Sequence, residues 1–93
     1  MKSISINGES VIVGTRTYPN GRIAITLTCE DGMPYATVST NVPEINLQER
    51  EFILSHNCSS ILGHLMSAGL FVDTGKKVDY GFVVGQPILK YVG

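Results

Sequence analysis

The sequence predicts an α+β domain: a twisted antiparallel sheet of about five to six strands, with one short helix packed on a face. Three observations point there. Turn signals cut the first half into segments that alternate apolar with polar residues. One stretch alone repeats its apolar residues at helical spacing. A length of 93 residues makes a single domain, 1–93, whose core must be small.

The first strand is Ser3-Ile4-Ser5-Ile6. Asn7-Gly8 then signals a two-residue hairpin, because a type I′ turn needs positive φ at both central positions. Ser10 to Tyr18 is the second strand, with Gly14 as a bulge or a crowded point. After the Pro19-Asn20-Gly21 turn, Arg22 to Cys29 alternates most cleanly and puts Ile23, Ile25 and Leu27 on one face. Glu30-Asp31-Gly32 is the third turn, and Tyr35 to Val42 reads as a fourth strand. Short turns between consecutive strands give an antiparallel N-terminal meander.

From Pro43 to Ser55 two readings compete. Leu47 to Glu51 could open a helix, whereas Glu51-Phe52-Ile53-Leu54 suits a fifth strand better, since Phe52 and Ile53 favour a sheet. The helix follows, capped by Asn57 or Ser59, with Ile61, Leu62, Leu65 and Met66 on one face. Gly69 stands where a left-handed C-terminal residue is expected, with Leu70 sealing the end. Asp73-Thr74-Gly75 reads as a turn. Val78 to Val84 and Ile88 to Val92 then return to strand character, interrupted at Gly85-Gln86-Pro87 because proline donates no ladder hydrogen bond.

The formal net charge is −1, with seven Lys and Arg scattered along the chain. A nucleic-acid binder concentrates such residues to displace counterions from phosphates, so nucleic acid is demoted as a partner. Charged residues make up 16% of the chain, below the usual quarter. A charge-poor surface fits a protein partly covered by a partner or by copies of itself; an ordinary neutral surface is the plain alternative. No apolar run approaches a membrane span, and the N-terminus alternates where a signal peptide would be continuous. A cytoplasmic location is expected, with Cys29 and Cys58 as free thiols.

His56, Cys58 and His64 form the one cluster to weigh as a site. Structural zinc needs four ligands at paired spacings, which this segment lacks. Cys58 beside a helix N-terminus would have its thiol pKa lowered, yet a Cys–His nucleophile also needs an imidazole within hydrogen-bond reach. The plainer reading leaves His56 in solvent and His64 on an exposed or border face. Asp31 and Asp73 adjoin turn glycines, where an Asp side chain bonds local amides. No glycine-rich phosphate loop or hydrolase motif occurs. The reading is therefore of a non-enzyme with no catalytic residues, cofactor or metal. Core packing accounts for the phenylalanines, while tyrosines at strand ends make good contact residues. The candidate partner-binding residues are Tyr18, Tyr35 and Tyr80, with Arg16 and Arg22.

Gly32-Met33-Pro34-Tyr35-Ala36-Thr37-Val38-Ser39-Thr40-Asn41-Val42-Pro43, Ala68 to Gly75 and Tyr80-Gly81-Phe82-Val83 resemble a small domain family of unknown function found in bacterial mobile elements and phages. Where that family has a Trp and acidic residues before the helix, this chain has Ser55-His56-Asn57-Cys58. The resemblance carries no catalytic motif. It implies a binding protein that acts in a bacterial host by occluding a protein or protein complex, such as an effector of CRISPR defence. A second expectation is a homo-oligomeric sponge for a signalling nucleotide, with Arg16, Arg22 or Lys76 contacting phosphate.

Overall fold

Asn7 and Gly8 take φ of 53° and 80°, so the first turn closes as the tight hairpin that their chemistry favours. In the computed structural model, which describes residues 2–93, that turn joins β1 (Lys2–Ile6) to β2 (Glu9–Thr17). Ile4 pairs with Val11 across it. The next turn is closed by the Gly21 amide on the Tyr18 carbonyl at 2.8 Å, and β3 (Ile23–Cys29) returns along β2. Gly14 is the crowded point and not a bulge. It pairs regularly with Thr26, and a Cβ there would meet Thr26 Oγ1 at 2.9 Å.

The described residues form eight strands in two four-stranded sheets, not a single sheet of five or six. The division falls inside the segment read as the fourth strand. Pro34–Thr37 (β4) pairs with β3, whereas Ser39–Thr40 (β5) pairs with Glu51–Leu54 (β6) in the second sheet. Val38, wholly buried, is the corner. Its amide bonds Ile25 O at 2.9 Å, while its carbonyl accepts from the Ser55 amide. One residue thus satisfies its two backbone groups on β3 and on the residue that follows β6. Ser39 Oγ beside it accepts the Ile25 amide at 2.9 Å and meets the Tyr18 hydroxyl at 3.0 Å.

β6 is the strand favoured over a helix for 51–54, and all four of its residues are buried. Entry to it is strained: Arg50 has φ of 67°, its carbonyl accepts the Tyr91 amide at 3.0 Å, and its guanidinium lies 5.3 Å from the Tyr91 ring centre. The second sheet runs β5-β6-β8-β7. Phe52, Leu54, Leu89 and Tyr91 from it share one core with Ile4, Ile6, Val11 and Leu27 of the first sheet, closed by Leu65 of the helix. Phe71 packs edge-on against Phe52 with ring centres 5.7 Å apart.

The helical segment starts as a 3-10 turn, His56–Ile61, and continues as α1, Leu62–Ser67. Neither Asn57 nor Ser59 caps it; Ser55 stands at the cap position without a side-chain bond. Tertiary contacts hold the turn instead. Cys58 is drawn inward, with its thiol 3.4 Å from Thr37 O, and Ser59 Oγ receives Gln86 Nε2 at 3.2 Å. The C-terminus is as expected, with Gly69 at φ of 75° and Leu70 packed on the core.

Asp73-Thr74-Gly75 is not a turn between strands. It is a bulge within β7 (Phe71–Tyr80), where the register slips between Asp73 and Lys77. Asp73 Oδ1 holds the Gly75 amide at 2.9 Å, and Thr74 Oγ1 donates to Ile88 O at 2.7 Å. Likewise Gly85-Gln86-Pro87 does not interrupt β8 (Val83–Tyr91). Pro87 pairs with Lys77 just past the last β6–β8 pair, Ile53 with Ile88. β8 there has β7 as its only strand neighbour, where a missing donor costs least.

Candidate binding surface

Past Ile88 the β7–β8 hairpin leaves β6 behind and becomes an arm. The chain reverses at Gly81-Phe82, between Tyr80 and Val83. Phe82 and Tyr80 therefore do not share a strand face, and Phe82 is not core. Its side chain is fully exposed (105%), and Val84 beyond it is 80% exposed. Sequence reasoning missed both. The available signal was Gly81 and Gly85 bracketing the apolar run, since both take positive φ, 54° and 69°.

The arm is held in shape. Asp79 Oδ1 accepts the Gly85 amide at 2.7 Å across a second register slip, and Gln86, buried, is pinned to Ser59 of the 3-10 turn. At its base Lys76 Nζ lies 2.9 Å from Glu51 Oε2, and Glu51 is only 6% exposed. Burial opposes ionisation of Glu51. The Gln48 amide, the Lys76 ammonium and the Lys90 charge outweigh it, so its carboxyl stays below the ordinary range.

Three of the four sheet edges, by contrast, are blunted, β1 being the fourth. β7 carries two register slips and the Lys76-Lys77 pair; β4 is four residues opening on Pro34, and β5 only two. Bulges, lysines, proline and shortness are the devices that discourage strand addition. The apolar tip is the most exposed large hydrophobic surface, with Phe82 and Val84 above Met33, Val72 and Val92.

The five residues expected to bind a partner are spread over both sheets. Arg16 is exposed near the end of β2. Tyr18 and Arg22 flank the next turn and are used internally: Tyr18 on Ser39, and the Arg22 guanidinium on the carbonyls of Val42 at 2.9 Å and Pro43 at 3.3 Å. Tyr35 on β4 packs against the core. Tyr80, half-buried, stands at the base of the tip.

A cleft of about 430 Å³ opens between the β2–β3 turn and residues 47–51, lined by Arg22, Arg50 and Glu51 among others. Each of those three charged groups is already engaged, by carbonyls, by the Tyr91 ring and by Lys76 respectively. A shallower notch of about 390 Å³ lies across the β1–β2 and β3–β4 turns, lined by Gly8, Glu9, Ser10, Cys29, Glu30 and Asp31. Burial, then the charges of Glu9 and Asp31, raise the Cys29 thiol pKa there.

His56, Cys58 and His64 are not brought together. His56 is exposed and Cys58 buried, while half-buried His64 lines a hollow together with Ser3, Ile4 and Ser5 of β1. Burial raises the Cys58 thiol pKa, which reverses the expectation of a lowered one. Six residues of 3-10 turn supply little dipole, and an apolar surround disfavours the thiolate more. Both cysteines are free. Among the described residues no three His, Cys, Asp or Glu side chains gather as a metal set, and no helix is long and apolar enough to cross a membrane.

Set against known families, curated proteins and solved structures, the chain matches no family model, no curated protein and no solved structure.

Proposed function

We propose that this domain is a non-enzymatic binding protein that occludes a macromolecular partner, with the β7–β8 tip as its anchor. The observation that carries the reading is Phe82, fully exposed with Val84 on an arm whose base is pinned. Seating a phenyl ring in a partner's pocket removes enough apolar surface to contribute about 2–3 kcal/mol. Because hydrogen bonds already fix the arm, little ordering entropy opposes that gain. The partner we propose is a component of bacterial host defence, CRISPR effectors included.

The nucleotide-sponge reading has less to support it. Of the three cations it relied on, Arg22 is spent on two carbonyls and Lys76 on Glu51. Native mass spectrometry of protein purified gently from bacterial cells separates the two. Extra mass of a protein, lost in Phe82→Ser, is the expected result. A small-molecule mass on each subunit would favour the sponge, and a protein partner retained by Phe82→Ser would remove the tip from the account.

A further inference from the structure

The edge of β1 is the one that neither proline, shortness nor a register slip protects. It pairs with β2 without interruption from Lys2–Val13 to Ile6–Glu9, and its one charge, Lys2, stands at its first position. The turn fixes which of its backbone groups are spare. Across a two-residue hairpin the flanking pair, here Ile6 and Glu9, exchanges both hydrogen bonds, and bonded pairs then alternate along the ladder. Lys2, Ile4 and Ile6 therefore bond β2, while Ser3 and Ser5 direct N–H and C=O away from it. Both serines are exposed, and no other backbone group among the described residues reaches them. The helix α1 flanks this edge without closing it: a hollow of about 310 Å³ opens between Ser3, Ile4 and Ser5 and the helical His64, Ser67 and Ala68.

We propose that two copies of this chain pair antiparallel through their β1 edges, about a two-fold axis at Ile4. That register opposes Ser3 of each copy to Ser5 of the other, so the outward N–H and C=O groups of both strands find partners. A shift by one residue sets bonding positions against non-bonding ones and turns the core face outward. Among the registers in phase, the axis at Ile4 is the one that also matches charge. It carries Lys2 of one copy opposite Ile6 of the other, whose neighbour on β2 is Glu9. Paired side chains share a face, and two strand spacings of ~5 Å lie within the combined reach of a lysine and a glutamate. Lys76–Glu51 is the one ion pair among the described residues, so neither Lys2 nor Glu9, both exposed, is paired in its own chain. The symmetry makes that contact twice, which is why a second copy fits this edge. The interface is isologous and closes at a dimer, joining two four-stranded sheets into one. A contact this small belongs to the weak, concentration-dependent class. It uses no residue of the Phe82 tip, which lies in the other sheet, and does not depend on the function proposed for that tip.

Sedimentation velocity from about 10 µM to about 1 mM protein, at low salt, reads the dimer directly. The sedimentation coefficient should rise with concentration and level off at the dimer value. Ser3→Pro removes an outward N–H and leaves the β1–β2 ladder intact, so it should keep its circular dichroism and stay monomeric throughout. Lys2→Glu and Glu9→Lys should each dimerise about tenfold more weakly. An equal mixture of those two should pair as tightly as the wild type, since every glutamate then meets a lysine across the axis. A wild type that stays monomeric, a Ser3→Pro dimer as tight as the wild type, or a mixture no tighter than its components overturns the proposal. Phe82→Ser should dimerise like the wild type; loss of the dimer there would move the contact to the tip and overturn it equally.

Discussion

Two hairpins, β1–β2 and β7–β8, are built from similar residues and end differently. The first closes on Asn7-Gly8, and Ile4, Ile6, Val11 and Val13 on its inner face reach the core. The second begins in the core with Phe71, Leu89 and Tyr91, then slips register twice and finishes with Phe82 and Val84 in solvent. Regular alternation buries side chains on one sheet face; bulges and positive-φ glycines re-aim them. The first hairpin serves the fold, and the outer half of the second serves contact with something else.

The largest test of that contrast compares two phenylalanines. Phe52→Ala should cost about 3–5 kcal/mol, comparable to the whole stability of a domain this small. Phe82→Ser should change stability by less than about 0.5 kcal/mol. Urea unfolding of the two variants reads both values, and similar losses would break the comparison.

Next comes the corner where the chain changes sheets. Ser39→Ala removes the acceptor of the Ile25 amide and the partner of the Tyr18 hydroxyl. A loss of about 1–3 kcal/mol is expected for leaving buried groups unpaired, measured by thermal unfolding.

The base of the arm comes third. Glu51→Gln should destabilise by about 1–2 kcal/mol at neutral pH, because it discards the charge-assisted bonds to Lys76 and Gln48. Folding lowers the Glu51 pKa, so the stabilisation is complete above the unfolded value of about 4.3 and is lost as pH falls through the folded one. The gap between wild type and Glu51→Gln should hold from neutral pH down to about 5 and close in stronger acid. A gap independent of pH would show that packing, not charge, sets it.

The smallest effect concerns the turns. Gly8→Ala and Gly81→Ala each force a Cβ into a positive-φ position, at 80° and 54°, for about 1 kcal/mol. Hydrogen exchange should show the Gly8 change loosening β1–β2, and the Gly81 change confined to residues 80–85.

What could be read from the sequence follows the same division. Asn7-Gly8, Asn20-Gly21, Asp31-Gly32 and Gly69 are local chemistry, and each takes the positive φ or side-chain bond expected of it. The strand at Phe52-Ile53 and the apolar face around Leu65 were legible because burial imposes a period. The second sheet was not, because the break at Val38 depends on partners at Ile25 and Ser55, distant in sequence. Ser59 looked like a cap until Gln86 claimed its hydroxyl. Asp73-Thr74-Gly75 carries turn residues, and the same residues make a bulge when Thr74 can reach Ile88 O. Phe82 is the sharpest case. An aromatic residue in an apolar run reads as core, and only the reversal at Gly81 and the end of β6 at Leu54 leave it outside.

The central claim is that folding has no use for the tip, and the double variant Phe82→Ser/Val84→Ser tests it most directly in a urea titration. An unfolding midpoint and slope equal to those of the wild type are the expected result. A midpoint lowered by the equivalent of more than about 1 kcal/mol would place both side chains in the folded core and contradict the account.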